Sequence, residues 1–153
     1  MENNKEKSID VLNSLVEINN DRIEGYKHAA EETDDATMKS LFNELADTSK
    51  KNKQELSAEI NKLGGTPKEG TATSGKIYRV WMDVKSALTN KNRKAILSSC
   101  ETGEDVAVKA YEDALDQAEY VAEEQQQLIK KQYTSIKAGH DKVKNLRDAF
   151  IKV

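Results

Sequence analysis

The chain reads as an all-α bundle of four long helices, with a short extra helix carried on a long crossover between the second and the third. Three observations lead there. Apolar residues recur at alternating three- and four-residue steps through four stretches, the spacing that lays one stripe along a helix. A single proline and two phenylalanines in 153 residues leave few breakers and few aromatics. Charged residues make up 33% of the chain, as solvated outer faces of long helices require. The five helices are expected at about 6–32, 36–63, 75–89, 92–116 and 119–151, within one domain spanning 1–153, and sheet content should be near zero.

Each element has its own justification. In the first long helix the stripe runs Ile9, Leu12, Val16, Asn19, Ile23, Tyr26, Ala30, and Asn19 alone breaks it. Thr33 to Ala36 is a polar joint in which Asp34 or Asp35 can cap the next helix, so the first two helices form an antiparallel hairpin. The second stripe holds Met38, Leu41, Phe42, Leu45, Ser49, Asn52, Leu56, Ile60 and Leu63, with two polar residues one turn apart on the inward side. Gly64-Gly65-Thr66-Pro67 closes that helix. After a Gly/Thr/Ser loop from Lys68 to Ser74, the stretch Gly75 to Leu88 is a compact amphipathic helix, read as a lid on which Tyr78 and Trp81 pack down over the core, with a partner surface anchored by Trp81 as the alternative. Asn90 or Asn92 can cap the third long helix, striped by Leu97, Cys100, Glu104, Ala107, Val108, Tyr111 and Leu115. The fourth carries Ile129, Gln132, Ile136, Gly139, Val143, Leu146 and Phe150, and only a loss of periodicity over Asp116 to Val121 marks the turn before it.

Composition narrows the function. With 24 basic and 27 acidic residues, a net charge of -3 and both signs interspersed, neither nucleic acid nor an anionic membrane is an expected partner. No apolar run approaches the roughly 20 residues that span a bilayer, and the Asn/Lys/Glu-rich start lacks the apolar core of a signal peptide, so the expected location is cytoplasmic. Cys100, the lone cysteine, sits on an inward stripe and is read as a buried small apolar residue. No nucleophile–base pair or phosphate-binding glycine loop is legible.

The strings GYKHAAE (25–31), KSLFNELA (39–46), LGGTP (63–67), SGKIYRVWMDVKSAL (74–88), CETGED (100–105), AYEDAL (110–115) and AGHDKVKNLRD (138–148) together resemble a bacterial family of ferritin-like four-helix-bundle proteins of unassigned function. That family is distantly similar to rubrerythrin. The resemblance implies an up-down-down-up bundle and supplies a test. A ferritin-like di-iron centre takes a carboxylate from each of two helices and a Glu-x-x-His pair from each of the other two. This chain has no Glu-x-x-His; Gly25 and Lys137 stand three positions before His28 and His140. If Tyr26 and Phe42 match the aromatic residues flanking the rubrerythrin-like site, the ligand positions fall on Asn19, Ser49 and Asn52. Glu104 remains suitable, but its counterpart by depth on the last helix is Gln132. A working di-iron oxidase is therefore not expected.

The inward polar residues then have two readings. One is a hydrogen-bonded layer that fixes helix register, in which Asn19, Ser49, Asn52 and Gln132 supply donors to Glu104. The other is a relic site that still holds an ion, water or a small ligand. Glu101 and Glu104, one turn apart, with His140 beside Gly139, are the candidate metal ligands, but a solvated or register-setting carboxylate pair and a satisfied, partly buried histidine are the favoured readings. The expected protein is non-enzymatic, stress-associated or scaffolding, a homodimer or bound to another protein, with no resident cofactor. The alternative is a metal-binding or redox member holding iron, manganese or zinc on Glu101, Glu104 and His140.

Overall fold

A computed structural model describes residues 2–70, 75–90 and 92–151. Five α-helices occupy them: α1 (Glu2–Glu32), α2 (Ala36–Lys62), α3 (Gly75–Asn90), α4 (Arg93–Asp116) and α5 (Glu123–Ile151). The side chains of Ile77, Tyr78 and Phe150, and loop residues 71–74, lie outside the described residues.

The helix ends follow from their capping chemistry. Asp35 Oδ1 accepts from the Met38 amide at 2.9 Å and opens α2, and Asn92 Oδ1 accepts from Ala95 at 3.0 Å and opens α4. At the end of α2 the Gly65 and Gly64 amides fold back onto the carbonyls of Ile60 and Asn61, both at 3.0 Å. Gly64 takes φ +82° to allow this, a conformation that favours glycine. Two boundaries differ from the periodicity. Helix α1 begins at Glu2 rather than about residue 6. Helix α5 begins at Glu123 rather than about 119, because a 3-10 turn over Ala118–Tyr120 takes up the stretch where periodicity is lost.

Hydrogen-bond register gives the topology. Arg22 of α1 meets Ser49 of α2 and Glu104 of α4, while three residues earlier Asn19 meets Asn52 of α2 and Tyr111 of α4. Numbers thus rise along α2 and α4 as they fall along α1. Gln132 of α5 lies at the Tyr111 level and Gly139 at the Arg22 level, so α5 runs parallel to α1. The result is up-down-down-up, with α3 on the crossover. The loop leaving α2 is stitched to α1: the Asn13 amide donates to Thr66 O at 3.2 Å and accepts from Lys68 N at 2.9 Å, and Asn20 donates to Gly70 O at 2.8 Å.

The apolar interior is divided in two. One cluster centres on Tyr26, Met38, Phe42, Leu97, Cys100 and Val143, and the other on Leu12, Leu15, Leu56, Tyr111, Ile129 and Ile136. Helix α3 joins the first: the Trp81 ring meets Tyr26 edge-on with centroids 5.3 Å apart, while Tyr26 stacks on Phe42 at 5.8 Å. Gly25 makes this approach possible, since a Cβ there would stand 2.3 Å from the indole.

Candidate functional site at the bundle centre

Polar residues fill the layer between the two clusters, with a cation that periodicity had passed over. Arg22 is 2% exposed and Glu104 fully buried. Arg22 Nε donates to Glu104 Oε2 at 2.9 Å and Nη2 donates to Oε1 at 2.8 Å, a two-pronged pair whose planar fork matches the carboxylate. The remaining Nη1 donates to Ser49 Oγ at 2.6 Å. The Tyr26 ring lies 5.6 Å from the guanidinium carbon, within cation–π range. Burial pulls the Arg22 pKa down, but the charge and hydrogen bonds of Glu104 outweigh it, and the group stays ionised above its ordinary range.

Room for the pair comes from Gly139. A Cβ there would stand 2.8 Å from Leu45 Cδ2, 3.2 Å from Arg22 Nη2 and 3.3 Å from Glu104 Oε1. The glycine that interrupts the α5 stripe is thus a close-approach position.

The other inward polar residues form a second network one turn away. Asn19 Nδ2 donates to Leu15 O at 2.8 Å and to the Tyr111 hydroxyl at 2.9 Å, and that hydroxyl donates to Gln132 Oε1 at 2.7 Å. Gln132 Nε2 closes the chain onto Asn52 O at 3.2 Å and Glu55 Oε1 at 3.3 Å. This corrects the expectation that Asn19, Asn52 and Gln132 supply donors to Glu104. Arg22 does so, and Ser49 takes the spare guanidinium hydrogen. The residue counted into the α1 stripe, Ile23, is only half-buried. From Asn19 to Tyr26 both 19-23-26 and 19-22-26 satisfy helical spacing, and hydropathy alone favours Ile23 over Arg22. The signal that could have found Arg22 was Glu104 itself, an inward carboxylate in need of a cation.

Three weak acids surround the layer in neutral form. Burial, then the Glu104 charge, pushes the Cys100 thiol and the Tyr26 hydroxyl well above their usual ranges. Burial raises Tyr111 as well, against the opposing pull of the Asn19 hydrogen bond and Arg22. Cys100 is therefore a buried thiol with its thiolate form disfavoured. Beneath α3, a void of about 10 Å³ lined by Ile18, Asp21, Arg22, Val80, Trp81 and Gly103 has room for about one water.

The candidate ligands Glu101, Glu104 and His140 do not come together as one set. Glu104 is drawn into the core by Arg22. Glu101 and His140 stand on the outer seam between α4 and α5, joined by Asp105 in place of Glu104. His140 Nε2 is 2.6 Å from Asp105 Oδ1, Nδ1 is 3.2 Å from Asp141 Oδ1, and Arg147 pairs with Glu101.

Nor does the central layer fit a pair of metal ions. Both oxygens of Glu104 are taken by a guanidinium, and the side chains at the expected ligand positions Asn19, Ser49 and Asn52 are neutral amides and a hydroxyl. A fixed positive charge within hydrogen-bond distance of the carboxylate opposes a second cation.

Fold and centre together define a ferritin-like four-helix bundle whose middle is an ion pair. The backbone is similar to that of a Dps1 mutant from Mycobacterium smegmatis, with a TM-score of 0.77, 13% identity, and coverage of 96% of this chain and 99% of that one. At that identity the likeness shows the fold. Residues 7–117 match the family model described as Domain of unknown function (DUF2383), and the chain belongs to that family. No curated protein matches it in sequence.

Proposed function

We propose that this protein is a non-enzymatic cytoplasmic scaffold, and that its centre is a lost di-iron site in which Arg22 supplies the positive charge that metal would otherwise bring. The observation that carries this reading is the double hydrogen bond from Arg22 to Glu104, with the third guanidinium nitrogen on Ser49. The charge of Glu104 is matched there by Arg22 without an ion, and on this reading the interior serves to hold register between helices. Work then falls to the outer faces. Among the described residues Met82 is the large apolar side chain left exposed, so a second copy or another protein would have to meet a polar, charged face.

The test is anaerobic loading with ferrous iron, removal of excess by gel filtration, and exposure to air. Iron retained by the native protein and by Glu104→Gln should be the same, with ferrous oxidation no faster than in buffer. One or two equivalents of iron that disappear in Glu104→Gln, with oxidation faster than buffer, would overturn the reading.

A further inference from the structure

We propose that Glu101, Asp105 and His140 form a divalent transition-metal site of the zinc class on the outer α4/α5 seam, and that Arg147 is a competitor built into it. The site is separate from the bundle centre and does not depend on the reading given for it.

Ligand type, placement and spacing all support the assignment. Two carboxylates and one imidazole are a donor set suited to zinc and its neighbours. Glu101 and Asp105 are four residues apart on one face of α4, and His140 reaches across from α5, so the ligands converge from two rigid elements. One ligand atom from each lies within 4.8 Å of the other two. Ligands held tetrahedrally about 2.0–2.2 Å from zinc stand about 3.3–3.6 Å apart, so small rotations of the side chains suffice.

Preorganisation comes from the second ring nitrogen. With Nδ1 facing Asp141 at 3.2 Å, the carboxylate can hold the Nδ1–H tautomer, which leaves the Nε2 lone pair aimed at Asp105 and Glu101. Nε2 and Asp105 Oδ1 now face each other 2.6 Å apart, and a metal bound between them would replace that direct contact. Glu101 and His140 are 16% and 18% exposed and already largely fixed, whereas Asp105, at 64%, lies on the open side where water can complete the coordination.

Arg147 sets the strength of the site. Its guanidinium pairs with Glu101 and, at 3.0 Å, with Asp148. Metal must displace it from Glu101, so affinity is held below what three protein ligands would give, and removing the guanidinium should tighten binding.

The experiment is isothermal titration of the full chain with zinc, and with cobalt as a spectroscopic probe, in chelator-free buffer. One equivalent should bind, with a cobalt visible band. His140→Ala should weaken binding at least tenfold, His28→Ala should leave it unchanged, and Arg147→Gln should tighten it several-fold. Circular dichroism checks that each variant is folded, and Asp105→Asn gives a second, exposed position at which binding must fall. Absence of saturable binding, binding indifferent to His140→Ala, or weaker binding in Arg147→Gln would overturn the proposal.

Discussion

Replacing Arg22 by methionine keeps an unbranched side chain in the layer and removes the charge, leaving Glu104 buried without its cation and Ser49 without its donor. Breaking one side of a buried pair costs about 3–5 kcal/mol, because the remaining charge stays desolvated. Domains of this kind have about 5–15 kcal/mol in all, so the loss is a large share of the whole. At about 2–4 °C per kcal/mol for a chain of this size, the melting temperature should fall by about 6–20 °C. The double variant Arg22→Met/Glu104→Gln removes both charges. It should recover most of the loss, with a coupling energy of about 3 kcal/mol or more where residues without contact would show about 0.5 or less. Urea denaturation followed by circular dichroism measures all four corners of the cycle. Repeating it in 1 M salt should leave the coupling nearly intact, since buried pairs are screened much less than exposed ones. An Arg22→Met loss under about 1 kcal/mol, or a double variant equal to the sum of the singles, would refute the reasoning.

Two further outcomes follow from the same packing. The Cys100, Tyr26 and Tyr111 pKa values are raised in the fold, so their stabilising contribution is complete below the unfolded values, near 8.5 for Cys and 10 for Tyr, and is lost as pH rises beyond them. Stability should therefore fall above about pH 8.5, at about 1.4 kcal/mol per pH unit for each group, and the urea midpoint of Cys100→Ala should decline less steeply between pH 8.5 and 10. An equal slope in both proteins would count against it. Gly25→Ala should destabilise despite alanine's better helix propensity, because the new methyl meets the Trp81 ring at 2.3 Å and α3 must move. Trp81 is the only tryptophan, so a red shift in emission reports the displacement, and an unchanged spectrum with unchanged stability would contradict the packing.

The fold was legible because long helices declare themselves in several ways at once. Asp35, Asn92 and Gly64 mark ends by chemistry that acts within a few residues, and the stripes state which face turns inward. Asn19, Ser49, Asn52, Glu104 and Gln132 were readable as inward polar positions for the same reason, and all five are buried. Their partners were not readable. Arg22 sits one residue from Ile23, and deciding between them needs the depth at which Glu104 enters the core, a tertiary quantity that spacing along one helix does not contain. Tyr111 presents the same difficulty, since an aromatic ring at an inward position looks apolar until its hydroxyl finds Asn19 and Gln132. The outer cluster depended on the rotation of α4 against α5. A shift of one residue, from Glu104 to Asp105, moves a carboxylate from the core to the seam.

The central claim is that a guanidinium, and not a metal, neutralises Glu104 in the middle of the bundle. Nitrogen-15 NMR of the arginine Nε–H groups under hydrogen exchange tests it most directly. One Nε–H, assigned to Arg22 by its loss in Arg22→Met, should be protected from exchange on the timescale of global unfolding, and Glu104→Gln should shift it and speed its exchange. Arginine Nε–H groups that all exchange as fast as exposed ones, or a protected signal indifferent to Glu104→Gln, would contradict the account.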